Sequence, residues 1–79
     1  MPKLPQMPKE CIEAFEEISK VGAAKGYGPD SWRDINPYIH IMKGMRHLTS
    51  YLLGDNKEEH IKHAMWRICT AVAILSHRS

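Results

Sequence analysis

The sequence predicts an all-α protein of three helices, the second and third forming an antiparallel hairpin. Three observations lead there. Apolar residues recur at three- and four-residue spacing through most of the chain, Pro and Gly mark the helix boundaries, and only a short turn separates the last two periodic stretches. Residues 1–79 make one domain, a size at which a single core rarely supplies more than a few kcal/mol of net stability, so a homo-oligomer is expected.

Residues 1–8 hold prolines at positions 2, 5 and 8 and are expected to form an extended arm. From Lys9 the spacing of Cys11, Ala14, Phe15, Ile18 and Gly22 predicts a helix over 9–25, with Glu10, Glu13, Glu16 and Glu17 on its other face. Positions 26–32 are dense in turn formers and carry Tyr27 and Trp32, which predicts a structured loop. Asn36-Pro37, an N-cap residue before a proline suited to the first helical position, opens a second helix over 37–53, closed by Gly54. Its expected core stripe is Tyr38, Ile41, Met42, Met45, Leu48 and Leu52. Asp55 and Glu58 read as a capping box for a third helix over 56–77, whose expected buried face carries Ile61, Ala64, Met65, Ile68, Val72 and Leu75. Those assignments place His40, Gly44, His47 and Tyr51 opposite the core of the second helix, and His60, His63 and Arg67 on a second surface of the third.

Charge and cysteine content narrow the function. The formal net charge of +2 is too small for non-specific binding to duplex nucleic acid. Residues 36–79 nevertheless carry six basic and three acidic groups and all five histidines, a balance that favours a small anionic partner. No apolar run reaches bilayer length, and nothing at the N-terminus resembles a signal peptide. Cys11 and Cys69 read as buried thiols, and a cytoplasmic protein without a membrane partner is expected.

The histidines offer two chemistries. Imidazole is the commonest metal ligand, and His60 and His63, one turn apart, could share an ion with His47 or Asp55 completing the set. The helix-one glutamates could also bind Mg²⁺, but an outward-facing row lacks the sheltered pocket such chemistry needs. Anion recognition uses more of the residues at once. Lys25 borders a Gly26-Tyr27-Gly28 turn whose N–H groups could cradle an oxyanion, Arg46, His47, His63 and Arg67 add donors, and Tyr27 and Trp32 offer stacking faces for a base.

Residues 21–32, Arg46-His47-Leu48, Gly54-Asp55 and the His60-x-x-His63-Ala64-x-Trp66 stretch together resemble the phage dATP/dGTP diphosphohydrolase N-terminal domain family. The likeness runs from about Pro5 to His77. It implies a small all-α phage protein that handles purine nucleotides, with a divalent metal such as Mg²⁺ if it hydrolyses them. Carried over by position, it marks Lys25, Tyr27, Trp32, Arg46, His47, Asp55, His60 and His63. Three departures stand out: Gly26 is inserted before Tyr27, Asp55 replaces the usual glutamate, and Arg67 replaces an asparagine. An arginine would repel a metal and attract phosphate, and a chain ending at Ser79 is expected to leave no room for a further catalytic domain.

The sequence therefore favours a binder over an enzyme. It would sequester nucleotides, including cyclic dinucleotide immune signals, with no cofactor and with Lys25, Tyr27, Trp32, Arg46, His47, His63 and Arg67 as ligand contacts. The alternatives are a metal-dependent purine dNTP diphosphohydrolase, using His47, Asp55, His60 and His63, and an inhibitor that docks on a host enzyme.

Overall fold

The computed structural model describes residues 3–78 and consists of three α-helices, α1 (Lys9–Ala24), α2 (Pro37–Leu52) and α3 (His60–Ser76), with a 3-10 turn at Ser31–Asp34. No β-strand occurs among the described residues. Positions 3–8 of the arm lack regular secondary structure, and Met1 and Pro2 lie outside the described residues.

Helix α1 starts on Pro8, whose carbonyl accepts from the N–H groups of Cys11 and Ile12. It ends where Gly26 takes φ +92°, with Gly26 N–H donating to Ala23 O and Tyr27 N–H to Gly22 O. This is a Schellman closure, and Gly26 supplies the left-handed residue it requires. α1 lies on α3: Phe15 stacks on Trp66 at 5.9 Å, Trp66 Nε1 donates to Ser19 Oγ at 2.9 Å, and Lys62 pairs with Glu17 at 2.7 Å. Glu10, Glu13, Glu16 and Glu17 are exposed, as the spacing predicts.

Asn36 caps α2 by accepting the Tyr38 N–H at 3.0 Å, with Pro37 at the first helical position. Gly54, at φ +91°, closes the helix in the same way as Gly26, with Asp55 N–H donating to Ser50 O. That closure overturns the expected capping box. Asp55 belongs to the end of α2, its Oδ1 accepts from Lys57 N–H at 2.9 Å, and α3 begins only at His60, with Glu59 at its N-cap position.

The hairpin of α2 and α3 is the main contact of the fold, and α2 touches no other α-helix among the described residues. Its buried faces differ from those expected, although Ala64 is buried as the spacing predicts. On α2 the buried residues are Pro37, His40 and Gly44, whereas Tyr38, Met42, Met45, Leu48 and Leu52 are exposed and Ile41 is half-buried. On α3 the seam takes His60, Ala64 and Ala71, Met65 is half-buried, and Ile61, Ile68, Val72 and Leu75 keep two-fifths or more of their surface exposed, Ile68 while touching the seam at Gly44. Small residues explain the choice. A Cβ on Gly44 would lie 3.4 Å from both Arg67 Cβ and Ile68 Cδ1, so its absence lets the backbones approach. The polar atoms buried by that approach all find partners among the described residues, which removes the usual penalty for burying imidazole. Apolar periodicity marks a face that prefers to be covered, and here the covering is not supplied by the chain's own helices. Cys11 and Cys69, expected to be buried, are half-buried free thiols.

Close approach at Gly44 sets a measurable limit. Gly44→Ala should change stability by less than about 1 kcal/mol, because helix propensity offsets the tight contact. Gly44→Leu should cost roughly 1–3 kcal/mol through overpacking. Urea denaturation followed by far-UV circular dichroism checks both, and a Leu variant as stable as the parent would contradict the seam.

Candidate functional site

The seam organises a line of hydrogen-bonded histidines. His40 is 0% exposed; its Nε2 lies 3.0 Å from Trp32 O and its Nδ1 3.0 Å from an Arg67 Nη. A carbonyl only accepts and a guanidinium only donates, so His40 is neutral, with its proton on Nε2 and its Nδ1 lone pair turned to Arg67. Burial pushes its pKa down and the Arg67 charge adds to that, against the opposing Trp32 carbonyl. One imidazole thus fastens the 3-10 turn to α2 and aims Arg67, which also lies 5.5 Å over the Trp66 ring.

Two turns on, His47 Nδ1 and His60 Nδ1 face each other at 2.8 Å. His60 Nε2 donates to Asp55 Oδ2 at 3.1 Å, which fixes the ring through the residue that closes α2. The neutral form of His60 then presents a bare Nδ1, and His47 Nδ1–H donates to it. Glu58 Oε2 stands 3.9 Å from both Nδ1 atoms, and His63 stacks on the His47 ring at 4.9 Å. Burial lowers the pKa of His47, with His63 and His60 adding to the effect. Burial also lowers His63, with Lys25, Arg67 and His60 reinforcing it and Glu58 opposing. The Lys57 N–H and then His60 hold the Asp55 carboxyl below the usual carboxylate range.

His47, Glu58 and His60 each offer one ligand atom, all within 4.8 Å of one another. Donors around one small divalent ion stand roughly 3.0–3.5 Å apart at bond lengths near 2.1 Å, so the set needs only slight adjustment to hold one. Moving the His47 proton to Nε2 leaves two lone pairs converging beside a carboxylate. A carboxylate behind a ligating histidine is the usual second partner that orients such a ring, and Asp55 stands there. The trio differs from the expected one. His63 buttresses His47 by stacking, Asp55 acts through His60, and Glu58, expected to cap α3, takes the third position.

Two cavities flank this line. A polar one of about 440 Å³ is walled by His47, Asp55, Glu58 and His60 and by the cations Lys43, Arg46 and Arg67. An apolar one of about 470 Å³ is lined by Tyr27, Trp32, Ile35 and Trp66, with Gly22, Gly28 and Pro29 leaving room between the rings. Lys43 and Arg67 line both, so the cavities meet at those two cations. Arg33 stacks over the outer face of Trp32 at 4.3 Å, and Tyr27 stays exposed.

Of the expected ligand contacts, Arg46, His47 and Arg67 come together in the polar cavity, and Tyr27 and Trp32 in the apolar one, where Arg67 also reaches. Lys25 and His63 line neither. The expected oxyanion cradle at Gly26-Tyr27-Gly28 does not form as such, because the Gly26 and Tyr27 N–H groups are used in closing α1. Sequence reasoning missed Lys43, which sits one turn from both His40 and His47, and it missed the role of Glu58. A helical wheel centred on the histidines rather than on the methionines would have found Lys43.

A protein-family model described as dATP/dGTP diphosphohydrolase, N-terminal, matches residues 1–79. No curated protein and no solved structure matches the chain.

The His40 geometry fixes a pH dependence. A group whose folded pKa is lowered contributes stability that is present above its unfolded value of 6.5 and lost as pH falls through the lowered value. Urea midpoints should therefore drop between about pH 7 and about pH 5. His40→Gln should flatten part of that slope, and an unchanged profile in the variant would contradict a neutral, buried His40.

Proposed function

Since the chain belongs to the dATP/dGTP diphosphohydrolase N-terminal family, we propose that its paired cavities bind a purine deoxynucleoside triphosphate and promote its hydrolysis to monophosphate and pyrophosphate. The observation that carries this reading is the junction of an aromatic cavity with a cationic one at Lys43 and Arg67. A nucleotide has the same two-part chemistry. Its flat base suits the space beside Trp32, Trp66 and Tyr27, and its phosphates suit Lys43, Arg46 and the Arg67 fork.

Each side chain then has a stated task. Lys43 and Arg67, at the junction, bind the phosphate nearest the sugar. Arg46, on the exposed wall, neutralises the outer phosphates. His40 keeps the Arg67 fork aimed by accepting one of its N–H groups, and Asp55 keeps the His60 proton on Nε2 so that Nδ1 stays bare. A divalent ion held by His47, Glu58 and His60 would supply Lewis-acid polarisation of a phosphoryl oxygen. Water adds to the α-phosphorus and gives up a proton to solvent, the bond from that phosphorus to the bridging oxygen breaks, and the electron pair leaves on pyrophosphate. The Arg67 guanidinium is drawn towards His40 and Trp66, and the Glu58 carboxylate beside the two imidazoles offsets its repulsion of an ion there.

Sequestration of an intact nucleotide is the second reading, favoured by the three cations around the polar cavity, which suit tight retention of phosphate. A cyclic dinucleotide carries two bases, and the cavity lined by Tyr27, Trp32 and Trp66 is assigned to one, so this reading applies first to mononucleotides.

Two outcomes follow. Purified protein incubated with dATP or dGTP and Mn²⁺ or Mg²⁺ should release monophosphate and pyrophosphate on chromatography. Ligand bound but recovered intact would move the function to sequestration, and no binding would sink both readings. Arg46→Ala should weaken dGTP binding about tenfold or more in calorimetry, the loss of one charge-assisted contact worth about 1.5 kcal/mol or more. Its thermal stability should stay unchanged because the side chain is exposed.

A further inference from the structure

We infer that the outward apolar side of the α2–α3 hairpin is the surface on which a second copy of this chain docks. The fold leaves few large side chains inside: Ile18, Ala64 and Ala71 are its buried hydrophobic residues among those described. Outside, Leu52 is 82% exposed, Tyr38 73% and Met45 60%.

These exposed side chains form one face. On α2, turning from the His40–Gly44–His47 line in one sense meets Leu48, Leu52 and Met45, and in the other sense Lys43, Ser50 and Arg46. On α3, turning from the His60–Ala64–Ala71 line in the same sense meets Ile68, Ile61 and Val72, and in the other Arg67 and His63. In antiparallel neighbours, equal senses of rotation lead to the same side of the pair. The hairpin therefore has an apolar side, and the two cavities open on the opposite one.

The size of that side selects its occupant. Its exposed area, with Tyr38 and Leu75 included, is on the order of 900 Å², above the ~300–600 Å² that monomers tolerate and close to the ~800 Å² each partner gives a stable interface. The arc from Leu48 to Tyr38 on α2 and from Leu75 to Met65 on α3 contains no charged residue. Two such sides meeting about a two-fold axis repel nowhere and enclose a four-helix core made of the residues the monomer leaves exposed. A charged or strongly polar partner finds no complement there. Docking on this side leaves both cavities open, so assembly and nucleotide binding are separable.

Sedimentation equilibrium of the wild-type protein at tens of micromolar should return at least twice the 9.1 kDa chain mass. Leu48→Glu, placing a charge at the centre of the face, should return a single chain. If that variant fails to fold, thermal melting of the wild type decides, with Tm rising by roughly 3–5 °C for each tenfold increase in protein concentration. A wild-type mass of 9.1 kDa with a concentration-independent Tm would overturn the inference, as would a single chain that acquires this covering only from a different protein.

Discussion

The close, polar contact between α2 and α3 is the constraint from which the other features follow. Gly44 opposite Ala64 and Arg67 lets the two backbones approach, and side chains at the seam must then be small or hydrogen-bonded at every polar atom. His40 meets the second condition with both ring nitrogens, one on the Trp32 carbonyl and one on Arg67. A hydrophobic residue at position 40 could fill the space, but it would release the 3-10 turn and the guanidinium together.

That seam divides the molecule by chemistry. Arg67 and the imidazoles that flank it on one side are held by neighbours, so their geometry exists before any ligand arrives. Preorganisation of this kind lowers the ordering cost of binding, because Arg67, His47 and His60 already occupy their hydrogen-bonded orientations. The same arrangement turns the methionine and leucine stripe of α2 away from the chain's own helices. A small all-helical chain can bury either its polar or its apolar stripes within one hairpin, and here the site residues took the interior.

Much of the fold was legible in the sequence, and the failures are of one kind. Asn36-Pro37, Gly54 and the α1 periodicity gave the helices and their ends, because capping and closure depend on residues adjacent in sequence. Which stripe of α2 is buried depends on what lies across from it, and Gly44 carried that information only as a gap where a side chain is missing. The Asp55–Glu58 segment failed similarly: two residues matched a capping pattern, but the Schellman closure at Gly54 had already fixed Asp55 as the end of the preceding helix. His47, Asp55, His60 and His63, singled out by the family motifs, lie together at the seam, but the motifs do not distinguish a ring that offers a lone pair from one that stacks behind it. Lys43 and Glu58 lie outside those motifs; helical spacing from His40 and His47 could have reached Lys43, whereas the role of Glu58 depends on the three-dimensional seam.

Nitrogen NMR of the histidine side chains, recorded on the ligand-free protein, tests the central claim most directly. A polar seam requires His40 to be a single neutral tautomer with its proton on Nε2, protected from solvent exchange, and His47 and His60 to be linked through their Nδ1 atoms. A His40 ring that averages between tautomers and exchanges rapidly with water would mean that α2 buries its methionine and leucine stripe instead, and the site built on the seam would not stand.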